Sequence, residues 1–352
     1  MASTECLLGQ PERESGKSSG GQTTILPRVV VFSTGGTIAM MREPATGQLR
    51  PILTGEEIAN SIPALGGLAE IEVRQFSNID STLMTPGKIV ELTREMKKAV
   101  QLSQVNGIVV THGTDTMEES AFLTALLWDM PIPVVFTGSQ RSFDDTMSDG
   151  PQNLLDAVRV ASAPHMQGMG VVVVFASRIL AARDVAKTHL SFLEGFDSGT
   201  FGILGYVDGS RVVVRRRPVD LPSFPIPPEI NARVDLIKYY QGIDGAFVDA
   251  SIEAGSEAIV IEAAGRGNVT EQLAKAMERA IAAGALVVVT SRVREGLVAP
   301  EYGSVGGGAK LEEKGAILAP GLTGVQARLL IMVALANGYG KKELKEFLQR
   351  EN

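Results

Sequence analysis

The sequence has very few of the residues that build disulfide frameworks and metal clusters. It contains one cysteine, Cys6, and three histidines, His112, His165 and His189, among 352 residues. A single cysteine excludes an intrachain disulfide and a cysteine metal cluster, and three histidines leave little material for a multi-histidine zinc site. The sequence therefore predicts no metal site, and any Ser–His–Asp arrangement would have to use one of these three histidines.

Excess positive charge and membrane-length apolar runs are absent as well. The chain has 33 Lys and Arg against 40 Asp and Glu, a net charge of -7, so no overall positive field attracts nucleic acid or anionic lipid. Apolar runs such as 170–176 have the length of a strand, far below the roughly 20 residues that span a bilayer. We therefore expect neither a nucleic-acid partner nor a membrane partner.

The remaining composition is that of a globular protein. Hydrophobic residues make up 44% and charged residues 21%, and at roughly 150 residues per domain the length predicts two domains. Residues 1–25 are polar and lack the basic start and apolar stretch of a secretory signal. We predict a disordered extension there and, with no signal visible, a location in the cytoplasm.

From Arg28 onward, short β-branched runs alternate with helical patterns, which is typical of an α/β protein with a mostly parallel sheet flanked by helices. We predict a larger N-terminal catalytic domain over 26–217 and a smaller C-terminal α/β domain over 231–352. Five prolines between Arg217 and Glu229 favour an extended linker over 218–230.

The sequence also predicts two helix starts and the two final helices. Thr54 with Glu57, and Thr116 with Glu119, have the spacing of a capping box, so each pair predicts the start of a helix. The last two helices are expected near 323–337 and 341–350.

The first candidate for chemistry is the segment Ser33–Ala39, which follows the predicted strand Val29–Phe32. In an open α/β sheet this is the edge where ligands bind. Gly35 and Gly36 allow a sharp turn that leaves Thr37 beside exposed backbone N–H groups. Taken alone, the pattern is also that of a plain glycine turn, because it lacks the spacing of a dinucleotide or phosphate loop.

The second candidate is the segment Thr111–Glu119, where a strand, a glycine and a helix start again follow one another. Its hydroxyls and the carboxylate of Asp115 would share one sheet edge with the first segment. Asp115 could equally be a helix N-cap. We predict that His112 is a hydrogen-bonded group behind the site and not a base.

The third candidate is Lys187, in the segment Arg183–Lys187 after the strand Val171–Phe175. A lysine near Thr114 and Asp115 could accept a hydroxyl proton, with the carboxylate orienting it. In isolation, Lys187 would be interpreted as a solvated surface lysine.

In this order and with this content, the three segments resemble the signatures of the bacterial-type asparaginase/glutaminase family. Thr34–Ala39 is similar to the first family signature, and His112–Glu119 is similar to the second. Further similar segments run through most of the chain: Asn78–Ser81, Gly138–Arg141, Ser148–Pro151, Arg183–Lys187, Leu204–Tyr206, Gly265–Asn268 and Ser291–Val293.

The resemblance implies a cofactor-free amidohydrolase that converts L-asparagine to L-aspartate and ammonia, assembled as a homotetramer of close dimers. By motif position, Thr37 would be the nucleophile that forms an acyl-enzyme. Thr114, Asp115 and Lys187 would form a second cluster that places water or relays a proton.

The resemblance also implies a substrate-binding set. Ser81 and Asp115 would hold the α-carboxylate and α-amino groups of the substrate. The backbone around Thr114 and Ser139 would line the amide pocket and donate to the oxyanion. Gly36 and Gly113, beside the two threonines, belong to the same predicted set.

A neighbouring subunit would complete the site. The resemblance implies that Asn268 reaches into the neighbour's site, although Asn268 with Glu271 also has the spacing of a helix N-cap. Glu301 stands where the family places its intersubunit acidic residue.

Two departures from the family pattern bear on the substrate. Every tyrosine lies at position 206 or later, so the loop Met40–Arg50 cannot supply the tyrosine that usually contacts the nucleophile, and we hypothesise that Tyr302 of an adjacent chain replaces it. Thr82 stands where asparaginases often carry glutamine. The alternative substrates are therefore L-glutamine, a D-amino acid amide, an N-substituted amide or a lactam, and a non-catalytic amino-acid sensor is a further alternative.

Overall fold

The computed structural model describes residues 25–219 and 221–349. The predicted disordered extension and Cys6 lie outside the described residues, apart from Ile25 at the extension's end.

A large sheet and its helices occupy the first part of the chain. Its elements are β1 (Arg28–Gly35), β2 (Met40–Arg42), β3 (Leu49–Pro51), α1 (Gly55–Asn60), β4 (Glu70–Ile79), α2 (Pro86–Leu102), β5 (Gly107–Thr111), α3 (Met117–Leu127), β6 (Val134–Thr137), α4 (Gly150–Ser162), β7 (Val171–Phe175), β8 (Arg178–Ala181), β9 (Ala186–Lys187), β10 (Phe196–Asp197), β11 (Gly205–Asp208) and β12 (Arg211–Val214). The strand order is β12-β11-β8-β7-β6-β5-β1-β4. Strands β4, β1, β5, β6 and β7 pair in parallel, and β8, β11 and β12 continue the sheet antiparallel.

A smaller, fully parallel sheet follows. Its elements are β13 (Val234–Lys238), α5 (Ala246–Glu253), β14 (Ala258–Ala263), α6 (Glu271–Ala282), β15 (Leu286–Ser291), α7 (Gly308–Glu313), β16 (Ile317–Leu318), α8 (Gly324–Ala336) and α9 (Lys341–Leu348). The strand order is β13-β14-β15-β16. The predicted fold class is confirmed: a larger, mostly parallel α/β unit followed by a smaller α/β unit.

The central strands are buried on both faces, which is why they appear in the sequence as continuous β-branched runs. Every residue of β5, β6 and β7 is buried. Successive side chains of β1 alternate between two cores: Val30 and Phe32 join the cluster that includes α2, α3 and α8, while Val29 and Val31 join the one that includes α1 and α4. Because α8 contributes to the first cluster, the two units share a core.

The proline-rich segment crosses between the two sheets without forming a helix or strand in its described residues. Phe224 is 2% exposed and packs edge-on against Tyr339 and Phe347. The predicted boundaries after 217 and 230 both fall between the end of β12 and the start of β13. None of the helices within 25–219 and 221–349 has the length and apolar character needed to cross a bilayer.

Both predicted helix starts are confirmed, since α1 begins after Thr54 and α3 after Thr116, but only the first of the two capping boxes forms. The Thr54 side chain accepts from the Glu57 backbone, and the Glu57 carboxylate accepts from Thr54 in return. At the start of α3, Thr116 makes no side-chain cap. Its hydroxyl donates instead to the carbonyl of Ser81 at 2.8 Å, so a tertiary partner takes the group that the local pattern assigned to the helix.

Candidate active site

The candidate site forms at the carboxyl edge of the large sheet. Strands β1, β5 and β6 are parallel neighbours, so the segments that follow them emerge on one side. Thr37 follows β1, Thr114 follows β5 and Ser139 follows β6. The structure therefore brings together the first two predicted signatures and the segment around Ser139.

Contacts between glycines set the spacing of these segments. A Cβ built on Gly36 would lie 2.3 Å from the Gly113 Cα, and one on Gly138 would lie 2.3 Å from the carbonyl oxygen of His112. A Cβ on Gly113 would lie 2.8 Å from the Ser81 side chain. Gly36 also has φ 81 and ψ -176, which is a region that only glycine adopts readily. The backbones that carry Thr37 and Thr114 can approach this closely only because no side chains separate them.

Lys187 links the second threonine to the aspartate of the same signature. Its Nζ donates to Thr114 Oγ1 at 2.8 Å and to Asp115 Oδ1 at 2.6 Å. The lysine side chain is 15% exposed and the aspartate side chain 64%. The carboxylate orients the lysine nitrogen against a buried hydroxyl, which is the geometry that a proton relay requires.

The backbone of Lys187 is held by Glu118, a residue for which the sequence pattern indicated no role. Lys187 lies in β9, paired with Phe196 of β10, and its N–H donates to the carboxylate of Glu118. Burial raises the pKa of Glu118, while this hydrogen bond and the charge of Arg294 oppose the rise. The only sequence signal for Glu118 was its place inside the second signature.

Arg294, from the smaller unit, supports the same strand pair. Its Nη2 donates to the carbonyl oxygens of Asp184 and, at 2.9 Å, of Asp197. Asp184 lies just before β9 and Asp197 is the last residue of β10, so the smaller unit helps to fix the position of Lys187. The sequence offered only the neighbouring segment Ser291–Val293 as a signal.

His112, the first residue of the second signature, is fully buried. Its Nδ1 donates to the carbonyl of Gly113 at 2.8 Å, and burial lowers its pKa to about 4. Its Nε2 has no hydrogen-bond partner within the described part of the chain, so the prediction of a fully hydrogen-bonded histidine is only half right. A neutral ring at this depth fits a role behind the site.

The predicted binding residues differ in exposure. Ser81 and Ser139 are buried, whereas Thr82 is exposed. The hydroxyl of Ser139 donates to the Arg141 carbonyl at 2.7 Å, so its own loop already engages this group.

The segment after Thr37 is a hairpin, β2–β3. It is anchored beyond its own strands, because Phe143 N–H donates to the Met40 carbonyl at 2.9 Å and Arg42 N–H donates to the Asp144 carboxylate at 2.9 Å. These two hydrogen bonds connect the hairpin to the segment after Ser139.

Asn268, Glu301 and Tyr302 lie together in the smaller unit. Glu301 pairs with Arg266 at 3.1 Å, Tyr302 is 50% exposed, and Asn268 Oδ1 is buried with no partner among the described residues. Asn268 does not cap α6, because Thr270 does so by accepting from Leu273 N–H; that alternative is wrong. No hydrogen bond or ion pair in the described ranges joins these three residues to Thr37 or Thr114.

No cluster of three or more His, Cys, Asp or Glu side chains that could hold a metal ion occurs among the described residues.

Comparison with known proteins places this site in a family. Residues 28–220 match the family described as "Asparaginase, N-terminal", and residues 233–348 match "Glutaminase/Asparaginase C-terminal domain". The L-asparaginase of Bacillus licheniformis is 36% identical over 315 residues, which cover 88% of this chain and 96% of that protein. A glutamyl-tRNA(Gln) amidotransferase polypeptide of Pyrococcus abyssi is 31% identical over 334 residues, which cover 92% of this chain and 75% of that protein.

A solved structure supports the same family. The crystal structure of a probable cytoplasmic L-asparaginase from Campylobacter jejuni is similar with a TM-score of 0.80 and 30% sequence identity, covering 92% of this chain and 100% of that chain. The fold and the site thus define an amidohydrolase enzyme. The chain belongs to the asparaginase family, and the resemblance seen in its motifs is confirmed.

Proposed function

We propose that the protein hydrolyses the side-chain amide of L-asparagine through an acyl-enzyme on Thr37. The observation that carries this proposal is the Lys187 Nζ between Thr114 Oγ1 and Asp115 Oδ1, beside the glycine contact that brings Thr37 near. The similarity to proteins named L-asparaginase supports the choice of substrate.

The first half-reaction makes one bond and breaks another. Thr37 Oγ1 attacks the side-chain amide carbon, and its proton passes by way of the Thr114–Lys187 pair to the leaving nitrogen. The carbon–nitrogen bond breaks, ammonia leaves, and an ester to Thr37 remains. Backbone N–H groups near Thr114 and Ser139 stabilise the oxyanion.

The second half-reaction returns the enzyme to its first state. Water attacks the ester carbon and gives up a proton to the same pair, which passes it to the departing Thr37 oxygen. L-Aspartate is released. Ser81 and Asp115 hold the α-carboxylate and α-amino groups throughout, which keeps the amide carbon beside Thr37.

Thr82 motivates a second substrate class for the same chemistry. It is exposed just beyond the end of β4, and its hydroxyl is shorter than the glutamine common at this place. The extra room would admit L-glutamine, a D-amino acid amide, an N-substituted amide or a lactam.

The test is ammonia release from the purified protein over L-asparagine, L-glutamine, D-asparagine, N-substituted amides and lactams. Thr37→Ala and Thr114→Val should each lower turnover by about 10³-fold or more, because these groups act as a unit. Thr200→Ala, an exposed threonine, is the matched control and should retain turnover. Near-wild-type turnover in Thr37→Ala would remove Thr37 from the nucleophile role, and activity on another amide alone would select the second substrate class.

The proposed assembly is a homotetramer in which Asn268 and Glu301 serve a neighbour's site. Asn268 Oδ1, which is buried and has no partner among the residues that the structure describes, supports this, because such an oxygen calls for a donor. Co-expressed Thr37→Ala and Asn268→Ala chains should recover about a quarter of wild-type activity, since one site of each mixed dimer is intact. No recovery, with each variant inactive alone, would contradict a shared site.

The Tyr302 hypothesis belongs to the same proposal. Tyr302→Phe should lower turnover without loss of stability if Tyr302 contacts the neighbour's Thr37, and wild-type turnover would remove it from the site. The cytoplasm stays the predicted location; relatives carry the words cytoplasmic and periplasmic alike in their names.

A further inference from the structure

The segment Ser148–Pro151 stands out in the sequence, yet the proposed reaction gives it no role. In the structure it leads into α4, and Asp149 is the residue just before the helix. The Asp149 side chain does not cap α4. Its carboxylate turns back toward the segment that follows β6.

Asp149 holds that segment by its backbone. Gln140 N–H donates to Oδ1 at 3.1 Å and to Oδ2 at 3.0 Å, and Arg141 N–H donates to Oδ1 at 3.0 Å. Two consecutive N–H groups therefore converge on one carboxylate, which fixes the direction of the chain immediately after Ser139.

Asn153, one turn along α4, holds the carboxylate in place. Its Nδ2 donates to Asp149 Oδ2 at 2.9 Å and to the Gly138 carbonyl at 3.0 Å. Its Oδ1 accepts from Ala176 N–H at 3.1 Å, and the residue is 2% exposed. The amide is thus connected to both ends of the Gly138–Arg141 segment and to the end of β7.

The held segment lies against the reacting residues. Gly138 abuts the His112 carbonyl. A Cβ on Gly150 would lie 3.0 Å from Ile38, which follows Thr37 in the chain, and 3.4 Å from the Ser139 Cβ. A shift of the segment would therefore move the Ser139 backbone relative to both threonine loops.

We propose that Asp149, held by Asn153, is a positioning residue that fixes the Ser139 backbone and so sets the length of side-chain amide that the site accepts. This rests on the proposed function, in which that backbone lines the amide pocket. The hydrogen bonds from the Gln140 and Arg141 N–H groups to the Asp149 carboxylate are called the clamp. Without the clamp, the Ser139 backbone that lines the amide pocket becomes more mobile. Attack on the shorter amide of L-asparagine then suffers more than attack on the longer amide of L-glutamine.

The test compares Asp149→Asn with Asp145→Asn. Asparagine at 149 places an NH2 donor against two N–H donors, whereas Asp145 is exposed and its carboxylate accepts from Met147 N–H, outside the clamp. The kcat/KM values for L-asparagine and L-glutamine are measured for both variants and wild type at a temperature where all are folded. Hydrogen exchange of peptides covering 138–142 is followed by mass spectrometry.

In Asp149→Asn, we expect kcat/KM for L-asparagine to fall by about 10²-fold, as for a displacement of about 1 Å. We expect the preference for L-asparagine over L-glutamine to fall by about tenfold, with faster exchange confined to 138–142. Asp145→Asn should match wild type in both readouts. Asp149→Glu, which keeps a carboxylate, should recover part of the preference.

Two results would overturn the proposal. Unchanged exchange at 138–142 in Asp149→Asn would show that the carboxylate does not hold the segment. Faster exchange with equal loss on both amides would leave Asp149 a structural residue with no part in selectivity. If wild type and Asp145→Asn release ammonia from neither amide, the proposed function fails, and the exchange result alone decides on the clamp.

Discussion

Replacing Gly36 by alanine tests the contact on which the site depends. The new Cβ would lie 2.3 Å from the Gly113 Cα and 2.4 Å from the Gly113 nitrogen. Both are backbone atoms, so no rotamer change can relieve the overlap. Ordinary contact begins at 3.4 Å, and the two loops must separate by about 1 Å to reach packing distances normal for protein interiors.

The expected magnitude has two parts. Alanine at φ 81 and ψ -176 costs about 1–3 kcal/mol of backbone strain. Forcing an extra carbon into packed structure costs about 1–3 kcal/mol more. The free energy of unfolding should therefore fall by about 2–6 kcal/mol, and a misplacement of about 1 Å between Thr37 and Thr114 should lower turnover by about 10²-fold.

Two matched glycines separate these contributions. Gly255 has φ 78 with open space around it, and Gly66 has open space without a positive φ. Gly255→Ala should lose only about 1–2 kcal/mol of stability, Gly66→Ala almost none, and both should retain turnover. Thermal unfolding and ammonia release are the assays. Gly36→Ala with the stability of Gly255→Ala and turnover within threefold of wild type would refute the argument from close approach.

Three further predictions concern single side chains. Lys187→Met should lower turnover by about 10³-fold while calorimetry still detects L-aspartate binding; turnover within tenfold of wild type would remove Lys187 from the proton relay. Glu118→Gln keeps an oxygen for the Lys187 N–H and should retain most turnover, whereas Glu118→Leu should lose about tenfold, and equal activities would contradict that positioning role. Burial lowers the pKa of His112 to about 4. Between about pH 6.5 and pH 4, the unfolded chain therefore binds a proton at this histidine that the folded chain does not bind. About 3 kcal/mol of the free energy of unfolding, present above pH 6.5, is lost as the pH falls through that range. Urea unfolding at pH 7.5 and 4.5 should show a smaller loss in His112→Asn, and equal losses would count against this assignment.

Strands buried on both faces were well predicted from the sequence, because such burial requires a continuous apolar run. The apolar runs of β1, β5 and β7 exist because central parallel strands are covered on both faces. The rule that ligands bind at the carboxyl edge then placed Thr37 and Thr114 on one side of the sheet. Both inferences need only the order of elements along the chain.

Strand β4 follows a different pattern and was not predicted. Strand β4 lies at the edge of the large sheet and is only half-buried. Charged residues alternate along it, and Glu72 pairs with Arg28 at 2.7 Å. An edge strand with charges suppresses unwanted pairing, but it also loses the apolar run by which strands are recognised.

The residues that position Lys187 could not be predicted from the sequence, because their partners are distant along the chain. Lys187 meets Glu118 across 69 positions of the chain, and Arg294 meets the Asp184 carbonyl across 110. Thr116 shows the reverse error, because its local pattern is right for a cap while its hydroxyl bonds to Ser81, 35 residues earlier. Local spacing reports what a side chain could do for its own helix, and only the fold decides which partner it takes.

In the proposed assembly, the smaller unit supplies Tyr302, Glu301 and Asn268 to a neighbour's site. The backbone of Tyr302 is held, since its carbonyl accepts from Ala309 N–H at 3.2 Å and a Cβ on Gly307 would lie 2.2 Å from that same oxygen. Its ring is half exposed. The adjacent Glu301 is fixed by Arg266, and Asn268 keeps a buried oxygen without a donor among the described residues. In the proposed assembly, docking of another copy would then cost mainly the entropy of the Tyr302 side chain, because its backbone is already held.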